Sequence, residues 1–302
     1  MTRISTISTL QQSLGFRQIV ARQTAESARL AQEVATGLKR DVFADNAPAA
    51  TRSLEVRAHR ATNTAFLDTN KVLQGRLQST ADAMAGISDL GRAFLDLSLT
   101  GAIMTDQRNV YRQQARHALE QVASLLNSTY GGDYIFSGQT TDTAAVDLVD
   151  APPAPVSVNY LASPVPISAR IDDTTTLSYG VNATDDAFRR ILSAVSDAVN
   201  ANVTAMTEAQ FDTLRSGVTT LLDSGLQRLT ALQGRLGNQQ QVLGDRIDGQ
   251  YALENLYARE VTDIEGADVE ETAVRLQSME MQLRATYEIT ARMGRMSLLD
   301  YL

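Results

Sequence analysis

Apolar side chains recur at helical spacing along the last 35 residues of the chain, from Asp268 to Leu302. The row consists of Val269, Ala273, Leu276, Met279, Leu283 and Tyr287, and Met293 and Leu298 continue it roughly in phase. Because residues three or four apart lie on one face of a helix, this spacing predicts one amphipathic helix. The sequence ends on apolar residues, and we expect them to be covered by another part of the protein or by a partner.

A second apolar row lies in the first forty residues. Its members are spaced by seven: Ile7, Leu14, Ala21, Ala28 and Ala35; Ile4, Leu10, Ala25, Ala31 and Leu38 widen it. A sustained seven-residue spacing is typical of helices that pack along one another. We therefore predict that the two ends of the chain pair as antiparallel helices. The alternative is that they are two ordinary core helices of a globular bundle.

Three further helices are predicted next, at about residues 47–70, 71–99 and 105–127, from their apolar faces. Gly37 suits the end of the first helix, and Asp45 followed by Pro48 suits the start of the second. Gly131 and Gly132 then predict a turn.

Residues 140–183 have a different composition and predict a small β-rich insert. Five of the six prolines lie there, and the runs 156–160 and 167–171 alternate between apolar and polar residues. Alternation of this kind predicts two to four strands. The sequence Asp172-Asp173-Thr174 predicts a turn between two of them.

Helical patterns resume at Thr184 or Asp185 and lead, after a break near residues 204–207, into a very long helix. In the long helix Leu222, Leu229, Leu236 and Leu243 are seven apart, Gln250 interrupts the row, and Tyr257 and Ile264 rejoin it. Six glycines lie within this segment, and each weakens a lone helix by about 1 kcal/mol relative to alanine. We expect the helix to persist only where neighbouring elements cover it.

Composition excludes several classes of function. The 302 residues include no cysteine, which rules out disulfides, thiolate metal sites and cysteine nucleophiles. A net charge of −8 argues against a nucleic-acid partner. No apolar run is long enough to cross a membrane, so membrane insertion is not expected. The N-terminus lacks the apolar core of a secretory signal peptide, which leaves export by another route open.

Catalytic chemistry has no support in the sequence. His59 and His117 are the only histidines, and neither belongs to a metal-ligand or triad pattern. Asp245 and Asp248 do not reproduce the spacing of a calcium-binding loop. We therefore predict no catalytic, cofactor-binding or metal-binding residues and no enzymatic activity.

Four short segments resemble a known family. They are residues 35–40 with 45–50, residues 134–138 with 141–143, residues 261–268, and residues 297–302. Taken together, in their order along the chain and at both of its ends, these segments resemble the flagellin superfamily of bacterial axial proteins. They most closely resemble its hook–filament junction members, the hook-associated protein 3 family. One departure is Asp45-Asn46, where the family often has two aspartates.

The resemblance implies a mainly α fold, in which long antiparallel helices from both chain ends form a coiled-coil rod with the β-rich insert at its distal tip. It implies an inner terminal domain of residues 1–40 and 266–302, a helical rod domain of 41–139 and 184–265, and an outer domain of 140–183. Ordering costs about 1–2 kcal/mol per residue, whereas the first helix buries mostly alanine. We therefore predict that both ends are disordered in the monomer and fold on neighbouring subunits.

The implied function is that of a structural adaptor that joins the flagellar hook to the filament by head-to-tail packing. The implied partners are copies of itself, hook-associated protein 1, flagellin, and an export chaperone that binds the C-terminal helix. Export through the flagellar type III channel would place the protein outside the cell, at the hook–filament junction. Two alternatives are a flagellin filament subunit and a free-standing coiled-coil signalling or adhesion module.

The candidate functional residues are those of the two apolar terminal helices, which we predict to contact neighbouring subunits. On the N-terminal helix they are Ile4, Ile7, Leu10, Leu14, Ala21, Ala28 and Ala35; on the C-terminal helix they are Val269, Leu276, Met279, Leu283, Tyr287, Met293, Leu298, Leu299 and Leu302.

Overall fold

The structure, a computed structural model, describes residues 3–40, 42, 47–100, 103–150 and 154–299, with side chains at all of these except 3–13 and 293–299. Within these ranges the helices are α1 (Arg3–Thr36), α2 (Ala47–Leu99), α3 (Arg108–Leu126), α4 (Asp186–Asn200), α5 (Glu208–Glu265) and α6 (Val269–Leu299). The strands are β1 (Thr129–Tyr130), β2 (Asp133–Tyr134), β3 (Val146–Val149), β4 (Ser157–Tyr160), β5 (Ile167–Arg170) and β6 (Thr176–Tyr179). The predicted fold class, mainly helical with a β-rich insert, is confirmed.

Helix α2 is one continuous helix of 53 residues, so the predicted break between Asn70 and Lys71 is wrong. Asparagine disfavours a helix interior because its amide competes for backbone hydrogen bonds. Here the amide of Asn70 is engaged elsewhere, since its Nδ2 donates to Gln250 Oε1 and to the carbonyl of Ile171. Asn70 therefore leaves the hydrogen bonds of its own helix intact.

The chain divides into two compact units, one formed by Met1–Thr62 with Leu253–Leu302 and the other by Asn63–Ala252. The boundaries between them fall inside α2 and α5. The predicted division into domains of residues 1–40 with 266–302, 41–139 with 184–265, and 140–183 stays a prediction. Asp45, which we expect to cap the second helix, lies outside the described residues.

In the unit Asn63–Ala252, α2 and α5 run antiparallel. Arg215 of α5 donates to the carbonyl of Ser98, and towards the other end Gln250 meets Asn70. The leucine row of α5 is fully buried, as predicted, and α2 has its own buried row of residues seven apart: Asn63, Asn70, Leu77, Met84, Gly91 and Ser98. The glycines of α5 are accommodated because the helix packs along most of this length.

Helices α3 and α4 pack on each other and close the core of the same unit. The Tyr111 ring stacks on Phe94, with centroids 5.3 Å apart, and meets the edge of Phe211 at 5.6 Å. Burial raises the pKa of Tyr111, whose hydroxyl lies 3.0 Å from Ser98 Oγ. The guanidinium of buried Arg108 lies over the Phe211 ring.

The β-rich insert consists of two antiparallel hairpins, β3–β4 and β5–β6, in agreement with the prediction of two to four strands. Residues 171–175 form the loop of the second hairpin, which includes the predicted Asp172-Asp173-Thr174 turn. A smaller hairpin, β1–β2, turns at Gly131 and Gly132. Both glycines have positive φ, at 63° and 96°, which suits a two-residue hairpin turn.

Candidate subunit interface

The two terminal helices, α1 and α6, pack against each other in the unit Met1–Thr62 with Leu253–Leu302. Where α1 ends and α6 begins, Leu38 and Gly266 form an antiparallel β-bridge. Lys39 N donates to the carbonyl of Glu265 over 2.8 Å, and Ala267 N donates to that of Gly37 over 2.9 Å. The end of α1 thus lies beside the start of α6, and the helices run antiparallel. The predicted pairing of the two chain ends is confirmed.

Local sequence explains this arrangement. Gly37 follows α1 with a φ of 69°, a left-handed conformation that glycine adopts without strain and that commonly ends helices. Asp268 precedes α6, and its carboxylate accepts a hydrogen bond from Glu271 N over 3.0 Å. Such a cap satisfies a backbone donor in the first turn of a helix. Gly37 and Asp268 therefore fix where the two helices stop and start.

Each terminal helix has a mostly apolar row of wholly or partly buried side chains, and on α1 the charged residues Glu26, Arg29 and Glu33 beside this row are also partly or fully buried. On α1 the row is Phe16, Val20, Gln23, Ser27, Leu30 and Val34; on α6 it is Thr272, Leu276, Met279, Leu283 and Thr286. Both rows advance by three or four residues, as expected for two helices that pack along their length. We infer that the two rows face each other.

The predicted seven-residue row of α1 lies on another side of the helix. Its described members, Leu14, Ala21, Ala28 and Ala35, are all exposed, so they are not the residues that pack on α6. The prediction that this row joins the two ends is therefore wrong. The residues of α1 that pack on α6 have a similar spacing, but they lie about one position before the members of the predicted row. As contacts to neighbouring subunits, these four residues stay a prediction.

The candidates on α6 divide between the packed row and the exposed surface. Leu276, Met279 and Leu283 are partly buried in the packed row. Val269 and Tyr287 are exposed, Tyr287 by 54 %. The side chains of Ile4, Ile7, Leu10, Met293, Leu298 and Leu299, and the whole of Leu302, lie outside the described residues.

Four exposed apolar residues of these helices were missed by the sequence analysis. They are Ile19 on α1 and Val274, Met281 and Ile289 on α6. Val274 is 67 % exposed and Met281 is 60 % exposed, and the two are seven residues apart. That spacing was visible in the sequence as a second row. An exposed apolar row on each helix is the kind of surface that marks a protein–protein contact.

Arginine–glutamate pairs join α2 to α5 in this same unit. Arg52 pairs with Glu260 at 2.5 Å and Arg60 pairs with Glu254 at 2.6 Å. The Arg57 guanidinium is hydrogen-bonded to Glu265 and lowers the pKa of that carboxyl, to which Ser53 Oγ also donates. These pairs were not predicted from the sequence, because their partners are about 200 residues apart and become neighbours only once the antiparallel register is known.

Charged and aromatic groups in the described ranges show no catalytic or metal-binding arrangement. His59 stacks on Tyr257, with ring centroids 6.2 Å apart. Among the described side chains, no three metal-ligating residues cluster. Within the described ranges, none of the helices combines the length and apolar character needed to span a membrane.

Sequence comparison finds similarity at both ends of the chain. Residues 7–141 match the bacterial flagellin N-terminal helical region, and residues 219–302 match the bacterial flagellin C-terminal helical region. The two matches cover most of α1 and α5 and all of α2, α3 and α6. No significant match is found among curated protein sequences.

Solved structures are similar in fold. A protein of Vibrio parahaemolyticus assigned as a flagellar hook-associated protein is 13 % identical over 73 % of this chain and 99 % of its own, with a TM-score of 0.62. The flagellar junction protein FlgL of Legionella pneumophila is 10 % identical over 70 % of this chain and 99 % of its own, with a TM-score of 0.53. At these identities the likeness demonstrates a shared fold.

Proposed function

Because the chain belongs to the bacterial flagellin family, we propose that it is a structural, non-enzymatic component of the bacterial flagellum that joins the hook to the flagellin filament. The observation that carries this proposal is the antiparallel pair α1–α6, which is the region matched at both chain ends and which exposes apolar rows on both helices. The two similar folds, one assigned as hook-associated and one a junction protein, favour the junction over the filament.

The exposed rows supply the physical basis of assembly. Leu14, Ala21, Ala28 and Ala35 on α1, and Val274 and Met281 on α6, are positioned to be covered by other copies of this chain. Alanine permits close approach of a neighbouring helix, and the larger side chains add buried apolar area. Contacts that repeat head-to-tail without closing produce a helical array. Such an array continues the hook on one side and receives flagellin on the other.

The partners follow from this position. We propose that the chain contacts hook-associated protein 1 on the hook side, flagellin on the filament side, and other copies of itself laterally. Before assembly, α6 would be bound by a flagellar export chaperone, which would cover Val274, Met281 and Ile289. The chain would leave the cell through the flagellar type III channel and reside outside it, at the hook–filament junction.

Folding of the terminal helices is coupled to assembly in this proposal. The row that joins α1 to α6 is mostly half-buried, and Leu30 is its one large apolar side chain that is fully buried among the described residues. Burial of so little apolar surface offsets only a small part of the conformational entropy cost of ordering the two helices, which is about 1–2 kcal/mol per residue. Limited proteolysis of the soluble monomer should therefore remove both ends. Ends that resist protease in the monomer would contradict this part of the proposal.

Deletion of the gene tests the function itself. Bacteria that lack the protein should carry hooks without filaments and release flagellin into the medium, as seen by electron microscopy and by immunoblotting of the supernatant. Normal filaments in the deletion strain would overturn the junction proposal.

A filament subunit is the second candidate, because the matched profiles are those of flagellin itself. The purified chain distinguishes the two: a filament subunit should polymerise alone into long filaments, whereas a junction protein should not. A free-standing signalling or adhesion module would instead keep its terminal helices folded without any partner.

A further inference from the structure

The leucine row of α5 is interrupted at Gln250, and the structure shows what this residue contacts. Gln250 is 2 % exposed, and on α2 the fully buried Asn70 lies opposite, in a row that continues as Leu77 and Met84. Two amides therefore meet where each helix would otherwise place an apolar side chain. Buried amides are costly unless they are hydrogen-bonded.

Both amides donate to a single backbone oxygen that belongs to neither helix. The Nδ2 group of Asn70 donates to the carbonyl of Ile171 over 2.8 Å and to Gln250 Oε1 over 3.0 Å. The Nε2 group of Gln250 donates to the same Ile171 carbonyl over 3.0 Å. Asn63 Nδ2 donates to the backbone carbonyl of Gln250 over 2.9 Å. These three side chains, Asn63, Asn70 and Gln250, are called the amide latch below.

The Ile171 carbonyl belongs to the loop of the β5–β6 hairpin, and the next residue is held as well. Asp172 pairs with Arg246 of α5 at 2.6 Å. Its Oδ1 accepts hydrogen bonds from Thr174 N over 2.6 Å and from Thr175 N over 2.7 Å, which shapes the loop. Ile171 and Asp172 are the two fully buried residues of the hairpin and its loop, residues 167–179.

The strands of this hairpin are only partly covered. In both β5 and β6, exposed residues alternate with half-buried ones. Hairpin β3–β4 differs, because Val146 of β3 is fully buried in the core and the adjoining Ala145 is 0 % exposed. Both hairpins therefore contact the apolar core, β3–β4 through Val146 and β5–β6 through Ile171, but only the buried end of β5–β6 is also held by side-chain hydrogen bonds and an ion pair from α2 and α5.

The latch provides orientation rather than stability. Asn70 Oδ1 is buried and accepts no hydrogen bond from any described residue. An incompletely paired buried amide stabilises a helix pair less than leucine at the same position would. Hydrogen bonds, however, are directional. Two donors that converge on the Ile171 carbonyl therefore fix the position of the loop relative to α2 and α5.

We propose that the amide latch is a releasable attachment, which fixes the β5–β6 hairpin to helices α2 and α5 and can open while the helices stay paired. An isolated two-stranded hairpin is only marginally stable in water. Opening of the latch therefore exposes the β5–β6 ladder to solvent, whereas the β3–β4 ladder and the leucine row remain protected. This inference concerns contacts within one chain and does not depend on the proposed place in the flagellum.

Hydrogen exchange of a double variant, Asn70→Leu with Gln250→Leu, tests the proposal. The variant removes both side-chain donors to the Ile171 carbonyl and places an apolar side chain at each position. We expect the amides of residues 167–179 to exchange at least tenfold faster and those of residues 146–160 to be unchanged. Unchanged exchange at 167–179, or an equal increase in both hairpins, would overturn the proposal. Leu243→Met, seven residues along the α5 row, is the matched control and should leave both hairpins unchanged.

The wild-type chain provides a second test that does not require a variant to fold. Native-state exchange in low urea distinguishes a local opening from global unfolding by its dependence on denaturant. The amides of β5 and β6 should open with a clearly smaller urea dependence than those near Leu229 and Leu236. An equal urea dependence at both places would mean that hairpin and helices open together, and the latch would not be a separable device.

Discussion

Arg57 and Glu265 meet side by side, with Arg57 Nε 2.8 Å from Glu265 Oε1 and the terminal guanidinium nitrogen 2.5 Å from Oε2. A paired geometry of this kind orients both groups and strengthens the hydrogen bonds. Glu265 is the last residue of α5, and its backbone carbonyl accepts the hydrogen bond from Lys39 N. Glu265 thus links the ion pairs between α2 and α5 to the β-bridge at which the end of α1 meets the start of α6.

Replacement of Glu265 by glutamine should lower the free energy of unfolding by about 1 kcal/mol at neutral pH, the upper range for a partly exposed pair. The hydrogen bond from Arg57 lowers the pKa of Glu265, so the folded state binds its proton less readily than the unfolded state. The stabilisation is therefore present above the ordinary carboxyl pKa of 4.5 and is lost as the pH falls below it.

Urea unfolding of wild type and Glu265→Gln between pH 3 and pH 7 measures this effect, and the two curves should converge at the acid end. Glu55→Gln is the matched control, because Glu55 is exposed and lies 3.9 Å from Arg52. A Glu265→Gln variant as stable as the control at neutral pH would contradict the prediction.

Two glycines of α5 should respond to alanine in opposite directions. A Cβ at Gly225 would lie 2.8 Å from Ile191 Cγ1 and 3.2 Å from the carbonyl of Ala187, both on α4. Overpacking of this kind costs about 1–3 kcal/mol, more than the roughly 1 kcal/mol gained in helix propensity. A Cβ at Gly237 meets no described atom within 4 Å, so Gly237→Ala should stabilise by up to about 1 kcal/mol. Thermal unfolding of both variants checks the signs.

The regular part of the fold was predictable from apolar spacing. The leucine row from Leu222 to Leu243 predicted a long packed helix, and α5 is one continuous helix of 58 residues. The error lay at Asn70, where the predicted helix 47–70 ended although α2 continues. The Asn70 side chain is engaged by Gln250 and Ile171, which are 180 and 101 residues away in sequence. Such contacts have no local signal.

The sequence predicted which regions form the candidate interface, but not which face of each terminal helix packs on the other helix. The sequence showed that both ends are amphipathic and pair, and the structure confirms this. It did not show that Leu14, Ala21 and Ala28 face away from α6, because α1 has two neighbouring rows of small and apolar residues. A choice between such rows depends on the partner helix, and the alanines differ too little in size to decide it.

The pH dependence of the β5–β6 loop should centre on Asp172. Burial acts to raise the pKa of Asp172, but hydrogen bonds from Thr174 and Thr175 outweigh it and lower the pKa from 3.8 to about 2. The folded state therefore gains about 2 kcal/mol from this carboxylate above pH 4 and loses it as the pH falls towards 2. Asp172→Asn should remove the gain at neutral pH and flatten the stability profile between pH 4 and pH 2.

Urea titrations at half-unit pH intervals measure this profile. Asp173→Asn is the matched control, since the Asp173 side chain is 75 % exposed and lies 3.7 Å from Arg170. An Asp172→Asn profile that coincides with that of Asp173→Asn would show that the carboxylate of Asp172 contributes nothing specific to the loop.

A charge on the exposed row of α1 should abolish assembly without affecting the isolated chain. Ala28 is exposed and is a member of that row, so Ala28→Glu should change the free energy of unfolding by less than about 0.5 kcal/mol. If a neighbouring subunit covers this row, the glutamate is buried without a partner on assembly, which costs several kcal/mol. The deletion strain that expresses Ala28→Glu should therefore lack filaments.

The control for this experiment is Gln18→Glu, which adds the same charge at an exposed position of α1 that lies about 80° around the helix from Ala28. It should restore filaments, as wild type does. Detection of both variants in the culture medium confirms that export is intact, so that a loss of filaments reports on packing. Filaments restored equally by both variants would mean that the row containing Leu14, Ala21, Ala28 and Ala35 is not covered in the flagellum, and the contact surface would then have to lie on α6.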